Sequence, residues 1–145
     1  MHGYPGSKGA DIYLAQRIEA ASPEQLVAIL LEGGQKYLSL ALDAMKANDI
    51  PGKVRHVNRV SEFVMEMSLR LNRQDGGEVV KNLDRIYNWW TEEIYDGARK
   101  NQPARLELVR KHMGELHGTW EERHRKNVPT PKPQGPTASL DLMVG

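Results

Sequence analysis

The chain has 145 residues, a length typical of one domain, and its 20 basic and 19 acidic side chains leave a net charge of +1. It contains no cysteine, which excludes a disulfide framework and a thiolate metal site. Nucleic-acid binding depends on a clear positive excess, so this balance favours a protein or peptide partner over nucleic acid. No apolar run suits a signal peptide or a membrane span, and we expect a cytoplasmic protein without membrane insertion.

The two ends of the sequence lack helical periodicity. Residues 1–11 carry three glycines and one proline and predict a flexible arm. Residues 127–145 hold four prolines and predict a disordered Pro-rich tail after a helical domain over residues 1–126. The apolar stretch 140–144 within that tail has two interpretations, a short docking motif or an ordinary frayed end.

Start signals for helices divide the middle of the chain. Ser22 suits an N-cap, Pro23 a first helical position and Gln25 the end of a capping box, so the first predicted helix runs from there to about residue 48. A break at 49–52 precedes a second predicted helix over about 53–73.

The second half of the chain repeats this pattern. Asp75 as cap and Glu78 as its capping-box partner predict a third helix that runs to about residue 100. Pro103 starts a fourth, which ends near residue 126. Short connections between long helices predict an all-α, antiparallel four-helix bundle with the N-terminal arm or a short helix packed on it. No alternating apolar run predicts a strand.

Apolar residues recur at steps of three and four along each predicted helix, which indicates core packing. The predicted stripes are Leu26, Leu30, Tyr37 and Ala41; Val57, Val60, Val64, Met67 and Leu71; Val79, Leu83, Ile86, Trp90 and Ile94 with Tyr87 beside them; and Leu106, Val109, Met113, Leu116 and Trp120.

Several apolar residues fall outside these stripes. Met65 and Leu69 point away from the stripe of the second helix, and Leu31, Leu38 and Leu42 help spread apolar surface over more than half of the first helix. One interpretation is that these are ordinary exposed apolar residues. The other, which we favour, is that they line a groove for a partner helix.

The arm offers a third use for that surface. Ile12, Tyr13 and Ile18 are apolar residues in a largely polar stretch, and folding back would cover part of the surface of the bundle. The arm would then act as a lid that leaves when a partner arrives.

Signs of catalysis are sparse. A carboxylate-bridged di-iron bundle needs two Glu-x-x-His pairs, and the sequence offers Glu121 with His124. The pair Gly33-Gly34 lies inside a predicted helix, where it indicates a close approach of another helix and not a phosphate loop. We therefore expect neither an enzyme nor a cofactor.

Two motifs carry a family resemblance. The stretch ASPEQL at 21–26, followed by LLEG at 30–33, resembles the opening of the FliS flagellar export chaperones. The run GGEVVKNL at 76–83, followed by Ile86, Tyr87 and Trp89, is similar to the second signature of that family. Tyr13 and Trp120 match aromatic positions ahead of the first helix and at the end of the last. Leu31 and Gly34 depart from the usual aromatic residue and alanine.

The resemblance implies a cytoplasmic chaperone that binds the C-terminal segment of flagellin, prevents its premature polymerisation and aids its delivery to a component of the flagellar export apparatus. It implies a helical bundle crossed by the arm, either monomeric or weakly dimeric, and it marks Asn82 and Tyr87 as motif residues. The predicted partner-binding residues are therefore Ile12, Tyr13, Leu31, Leu38, Leu42, Met65, Leu69, Asn82 and Tyr87. The alternative is a self-associating helical bundle with a structural or regulatory role.

Overall fold

The computed structural model describes residues 5–71, 74 and 77–127, and within them the chain forms five helices and no strand. These are α1 (Pro5–Ala20), α2 (Pro23–Lys46), α3 (Ile50–Leu69), α4 (Glu78–Arg99) and α5 (Pro103–Asn127). The prediction of an all-α fold is confirmed. No helix in this part of the chain combines the length and apolar content that a membrane span needs. The predicted disordered tail lies, beyond Asn127, outside the described residues.

The start of α2 is the capping box predicted from the sequence. The Gln25 backbone N–H donates to Ser22 Oγ at 3.2 Å, and the Ser22 N–H donates to Gln25 Oε1 at 3.0 Å. Two backbone donors that a helix start leaves unpaired are thus satisfied by side chains. The start of α2 is therefore defined by local side-chain contacts.

The helix α3 begins three residues earlier than predicted. Asp49 is its N-cap, and its carboxylate accepts from the Gly52 N–H at 3.0 Å, while Pro51 occupies the first turn, where its missing N–H costs nothing. Asn48, with φ at 58°, turns the chain between α2 and α3. The residues interpreted as a break are therefore the cap and first turn of the next helix.

The predicted cap of α4 is wrong. The helix begins at Glu78 with Gly77 as its N-cap and has no side-chain cap hydrogen bond. The two residues of a capping box are three positions apart, so a box from Asp75 to Glu78 would require α4 to begin at residue 76. Asp75 lies outside the described residues.

The predicted stripes form one shared core. The helix α2 packs against α3 and α5, α3 also packs against α4, and α4 packs against α5. The buried stripe residues are Leu26, Leu30 and Ala41 on α2, Val57, Val60, Val64 and Met67 on α3, Leu83, Tyr87, Trp90 and Ile94 on α4, and Leu106, Val109, Met113 and Trp120 on α5. Core packing by the stripes is confirmed.

Two adjacent glycines let α2 approach two neighbours closely. A Cβ at Gly33 would lie 2.8 Å from Phe63 Cζ on α3, and a Cβ at Gly34 would lie 2.8 Å from Met113 Sδ on α5. A larger side chain at either position would force the opposing side chain to shift or the helices to separate. The close helix approach predicted from this glycine pair is confirmed.

Polar contacts join α4 to α5. Arg105 binds both carboxylate oxygens of Glu93, at 2.9 and 3.0 Å, and also Asp96 at 2.7 Å. Farther along, the buried Trp90 indole N–H donates to His112 Nδ1 at 2.9 Å. The indole would otherwise bury an unpaired donor, so this bond lets a large aromatic residue occupy the core.

The helix α1 is attached mainly to α2. It begins at Pro5, inside the segment predicted as an arm, and its half-buried Leu14 and Ile18 pack on the shared core. Arg17 lies 3.7 Å from Glu32 of α2. Leu14 and Ile18 are one turn apart, so α1 presents a narrow apolar contact and leaves most of its surface in solvent.

Candidate partner-binding surface

An apolar strip runs along the outer side of α3. Ile50, Val54, Met65 and Leu69 are 56, 50, 61 and 70% exposed. At 100° per residue these positions fall within an arc of about 100°, so they share one face. We call these four residues the α3 face. Met65 follows Val54 by 11 residues, or about 16 Å along the helix axis, and the polar residues Asn58 and Ser61 lie between them in the same arc. The α3 face therefore consists of two apolar pairs, Ile50 with Val54 and Met65 with Leu69. Isolated exposed apolar residues are ordinary, but apolar pairs on one face suit an interaction surface.

The α3 face was partly predicted. The exposure of Met65 and Leu69 follows from their angle to the buried stripe and is confirmed. Ile50 was not predicted, because it falls in the predicted break at 49–52. Val54 lies in the predicted helix over 53–73 but was not assigned to this surface. The cap at Asp49 was the signal that could have extended the helix to include Ile50.

Polar contacts border the α3 face. The Tyr95 hydroxyl of α4 donates to Asn58 Oδ1 at 3.1 Å, which places a half-exposed ring beside the face. Two ion pairs within α3 flank it on the other side, Arg59–Glu62 at 2.8 Å and Arg70–Glu66 at 2.6 Å. An apolar centre with a polar rim is the usual composition of a protein interface.

Two predicted groove residues lie in the core. Leu31 and Leu38 have no exposed surface. They therefore do not line an exposed groove in this structure, and that part of the interpretation needs correction. The physical reason is that α2 contacts α1, α3 and α5, so it buries a much wider arc than a helix with two neighbours.

Leu42 occupies an intermediate position. It is half-buried and lines a cleft of about 550 Å³ between the end of α2 and the start of α5, beside Met45, Pro103 and Arg110. The cleft has mixed chemistry, with apolar and charged walls. It lies at the opposite end of α2 from α1.

The predicted arm residues point outward. Ile12 and Tyr13 are exposed, whereas Leu14 and Ile18 make the contacts with the core. Tyr13 also lines a groove between α1 and α2 with a volume of about 150 Å³, where the Arg17 guanidinium lies 5.8 Å from the centre of its ring. The covering role predicted for Ile18 agrees with this placement.

The two motif residues on α4 differ in their surroundings. Asn82 is exposed, and its Oδ1 accepts from Arg85 at 2.7 Å. Tyr87 is buried, and burial raises the pKa of its hydroxyl well above the usual value. Tyr87 packs against Trp90 with ring centres 5.5 Å apart, so its place is structural.

Several ionisable side chains of the described residues make contacts between neighbouring helices. Hydrogen bonds from Arg105 lower the pKa of Glu93 and lower that of Asp96 to about 2. Burial, together with Arg55, lowers the pKa of His56, which lies against Tyr37 with ring centres 6.0 Å apart. Within the described ranges, His and acidic side chains form no cluster that fits a metal ion. What this surface offers chemically is apolar contact.

Comparison with known proteins identifies the family. Residues 6–127 match the family model described as flagellar protein FliS. The flagellar secretion chaperone FliS of Vibrio cholerae is 28% identical over 106 residues, which are 73% of this chain and 78% of that protein. The flagellar secretion chaperone FliSB of Pseudomonas aeruginosa is 24% identical over 110 residues, or 76% of this chain and 87% of that protein.

A third relative agrees with these two. The flagellar secretion chaperone FliS of Campylobacter jejuni is 27% identical over 107 residues, which are 74% of this chain and 84% of that protein. The family match covers all of α2 to α5 and nearly all of α1. The chain therefore belongs to the FliS family of flagellar secretion chaperones.

Proposed function

We propose that this protein is a cytoplasmic export chaperone that binds the C-terminal segment of flagellin, prevents its premature polymerisation and aids its delivery to the flagellar export apparatus. The observation that carries the proposal is the exposed α3 face on a member of the FliS family. The proposed function is binding through this surface, without catalysis and without a cofactor.

The helices α2 to α5 act in this proposal as an antiparallel four-helix bundle that presents the surface rigidly. Each of these four helices packs against two of the others, which supports such a closed arrangement. Because these helices are ordered before binding, the chaperone itself loses little conformational entropy when it binds. The entropy cost of binding then comes mainly from ordering the client.

The contacting residues in the proposal are the exposed or half-buried ones. Met65 and Leu69 form the centre, Leu42 adds the cleft at the end of α2, and Asn82 offers an amide to the backbone of the client. Ile12 and Tyr13 belong to α1, which acts as a lid. Leu31, Leu38 and Tyr87 act indirectly, by holding α2 and α4 in the core beneath the surface.

Magnitudes show that the α3 face alone gives weak binding. Burying the exposed half of an aliphatic side chain contributes about 1 kcal/mol, so its four residues contribute about 4 kcal/mol. Ordering a disordered segment costs roughly 2–5 kcal/mol, which is comparable. A stable complex therefore requires a client that wraps around several surfaces of the chaperone.

Calorimetric titration with a peptide from the C-terminal segment of the organism's flagellin tests the proposal. We expect a one-to-one complex with a negative heat-capacity change, because binding buries apolar surface. The double substitution Met65→Gln/Leu69→Gln should weaken binding at least roughly tenfold, since each side chain contributes about 1 kcal/mol.

The matched control is Leu108→Gln, which makes the same chemical change at a half-exposed leucine on α5. Its affinity should equal that of the unchanged protein. If the folded protein binds no peptide at several temperatures, the proposal is wrong. Equal losses from the α3 and α5 variants would contradict the assignment of the surface.

Self-association is the second candidate, because the α3 face would also suit another copy of the chain. In that case the protein should elute as a dimer during size-exclusion chromatography at low concentration, and Met65→Gln/Leu69→Gln should convert it to a monomer. The chaperone proposal expects a monomer or a weak dimer whose dissociation leaves peptide binding intact.

A further inference from the structure

The α3 face is uncovered within the described part of the chain. All four of its side chains are at least half exposed, although α2 and α4 pack on other sides of α3. Met65 and Leu69 lie one turn apart, so these two side chains form one exposed apolar surface that is available to an occupant.

The sequence outside the described residues contains a segment of matching chemistry. Residues 140–144 read LDLMV and follow a polar, Pro-rich stretch. Leu140, Met143 and Val144 have the spacing i, i+3, i+4, which apolar anchors use when a helix docks in a groove. The α3 face is likewise apolar, so both surfaces lose contact with water when they meet.

The last residue of α5, Asn127, lies at the same end of the molecule as Leu69. Trp120 shares a cleft with Ala21 and Gln25 at the start of α2, so the end of α5 lies beside the start of α2. The ring of Phe63 faces Gly33, which lies in the first half of α2. Leu69 follows Phe63 by almost two turns and therefore lies at that end too.

The connecting segment is long enough to reach. Residues 128–139 separate Asn127 from Leu140, and in the extended form that prolines favour these 12 residues span about 37 Å. Passing from α5 across α4 to α3 requires about 20 Å, or two interaxial distances. The segment therefore reaches Met65 and Leu69 without strain.

We infer that residues 140–144 bind in cis to the Met65–Leu69 half of the α3 face. Tethering holds them near this face at an effective concentration in the mM range, so even a contact of a few side chains is substantially occupied. The docking itself does not depend on the proposed function. Its consequence does: a docked tail competes with the flagellin segment for Met65 and Leu69 and moderates client affinity.

Methyl NMR of the full chain tests the docking directly. The protein has six methionines and no cysteine, so Ala138→Cys gives a single attachment site for a nitroxide spin label. With ¹³C-methyl methionine, we expect the label to broaden the Met65 signal relative to a diamagnetic label. Met45, at the far end of α2, should be unaffected. Adding Leu140→Ser/Met143→Ser should restore the Met65 signal.

Unchanged Met65 intensity would overturn the inference. Broadening that persists when spin-labelled, unenriched protein is mixed with unlabelled, enriched protein would also overturn it, because the occupant would then be a second copy of the chain. Circular dichroism checks that every variant keeps its fold, since the substitutions lie outside α1 to α5.

Titration with the flagellin peptide separates this inference from the proposed function. Leu140→Ser/Met143→Ser should tighten peptide binding by roughly twofold to tenfold, since it removes a tethered competitor. If no peptide binds while Met65 is still broadened, the proposed function fails and the docking stands. If the peptide binds equally to both proteins, competition by the tail is excluded.

Discussion

Neighbouring residues in one helix experience different constraints, as Gly33 and Gly34 illustrate. Both lack a side chain because another helix lies close, but the opposing atoms differ in their freedom to move. Phe63, opposite Gly33, stacks on Tyr37 with ring centres 5.8 Å apart. Met113, opposite Gly34, meets the helix with its flexible thioether end. The first contact is therefore the more rigid one.

Gly33→Ala should lower the free energy of unfolding by about 1–3 kcal/mol, the usual cost of overpacking a core. Gly34→Ala should cost less, because Met113 can shift and alanine gains about 1 kcal/mol of helix propensity. Urea denaturation measures both variants. Gly118→Ala, with open space around the new methyl group, is the control and should stabilise the protein. Equal losses at Gly33 and Gly34 would contradict this distinction.

Exposure at the residue scale was predictable where a helix has few neighbours. Met65 and Leu69 follow from the angle to the stripe of α3, since the opposite side of that helix faces solvent. The burial of Leu31 and Leu38 could not be predicted in this way, because it depends on the three helices around α2. A local sequence pattern does not indicate how many neighbours a helix has. The wide apolar surface of α2 is buried by neighbouring helices. From the sequence alone, an apolar surface buried in this way looks the same as one that lines a groove for a partner.

The ends of the helices were predicted best where a side chain caps the helix. The capping box at Ser22 is local chemistry and was predictable, whereas the start of α4 at Gly77 has no side-chain cap. The polar cluster that joins α4 to α5 was not visible in the sequence either. Arg105 follows Glu93 by 12 residues and Asp96 by 9, and it meets them because the chain reverses between the two helices.

Arg105→Gln should lower the free energy of unfolding at neutral pH. It should also make that free energy fall less steeply as the pH is lowered. Both carboxylates have a lowered pKa in the folded protein, that of Asp96 about 2 against an ordinary 3.8. Their contribution is therefore present above the ordinary pKa values and is lost as the pH falls through the folded values. Thermal unfolding between pH 7 and pH 2 measures this effect.

A charge-matched control separates this cluster from a general effect of charge. Arg85→Gln removes the same charge from an exposed arginine of α4 that binds the uncharged Asn82. It should leave the slope of stability against pH almost unchanged. If the two variants showed the same slope, the Arg105 cluster would not be the source of the acid sensitivity.

At the scale of the molecule, the described part of the chain consists of a tightly packed set of helices, α2 to α5, and a loosely attached α1. The seat of α1 on α2 comprises Leu14, Ile18 and the Arg17–Glu32 pair, whose long 3.7 Å separation and exposure make it weak. The sequence indicated a covering role for this region. It did not indicate that the helix starts at Pro5, because the glycines of that stretch suggest a turn.

Deleting residues 1–18 should therefore leave α2 to α5 folded and raise affinity for the flagellin segment, because the client no longer displaces a lid. Titration calorimetry measures the affinity, and circular dichroism checks that the remaining helices are intact. Unchanged affinity with normal folding would exclude the lid. A loss of cooperative unfolding would show that α1 belongs to the core.

Trp89 and Trp90 are consecutive residues of α4, yet one ring is 36% exposed and the other is fully buried with its N–H on His112. Successive helical positions differ by 100°, so two adjacent residues can place one indole in water and the other in the interior. The third tryptophan, Trp120 on α5, is also buried. We therefore expect the fluorescence of Trp89 at longer wavelength and that of Trp90 and Trp120 at shorter wavelength, so one emission spectrum separates events at the surface of α4 from loosening of the core.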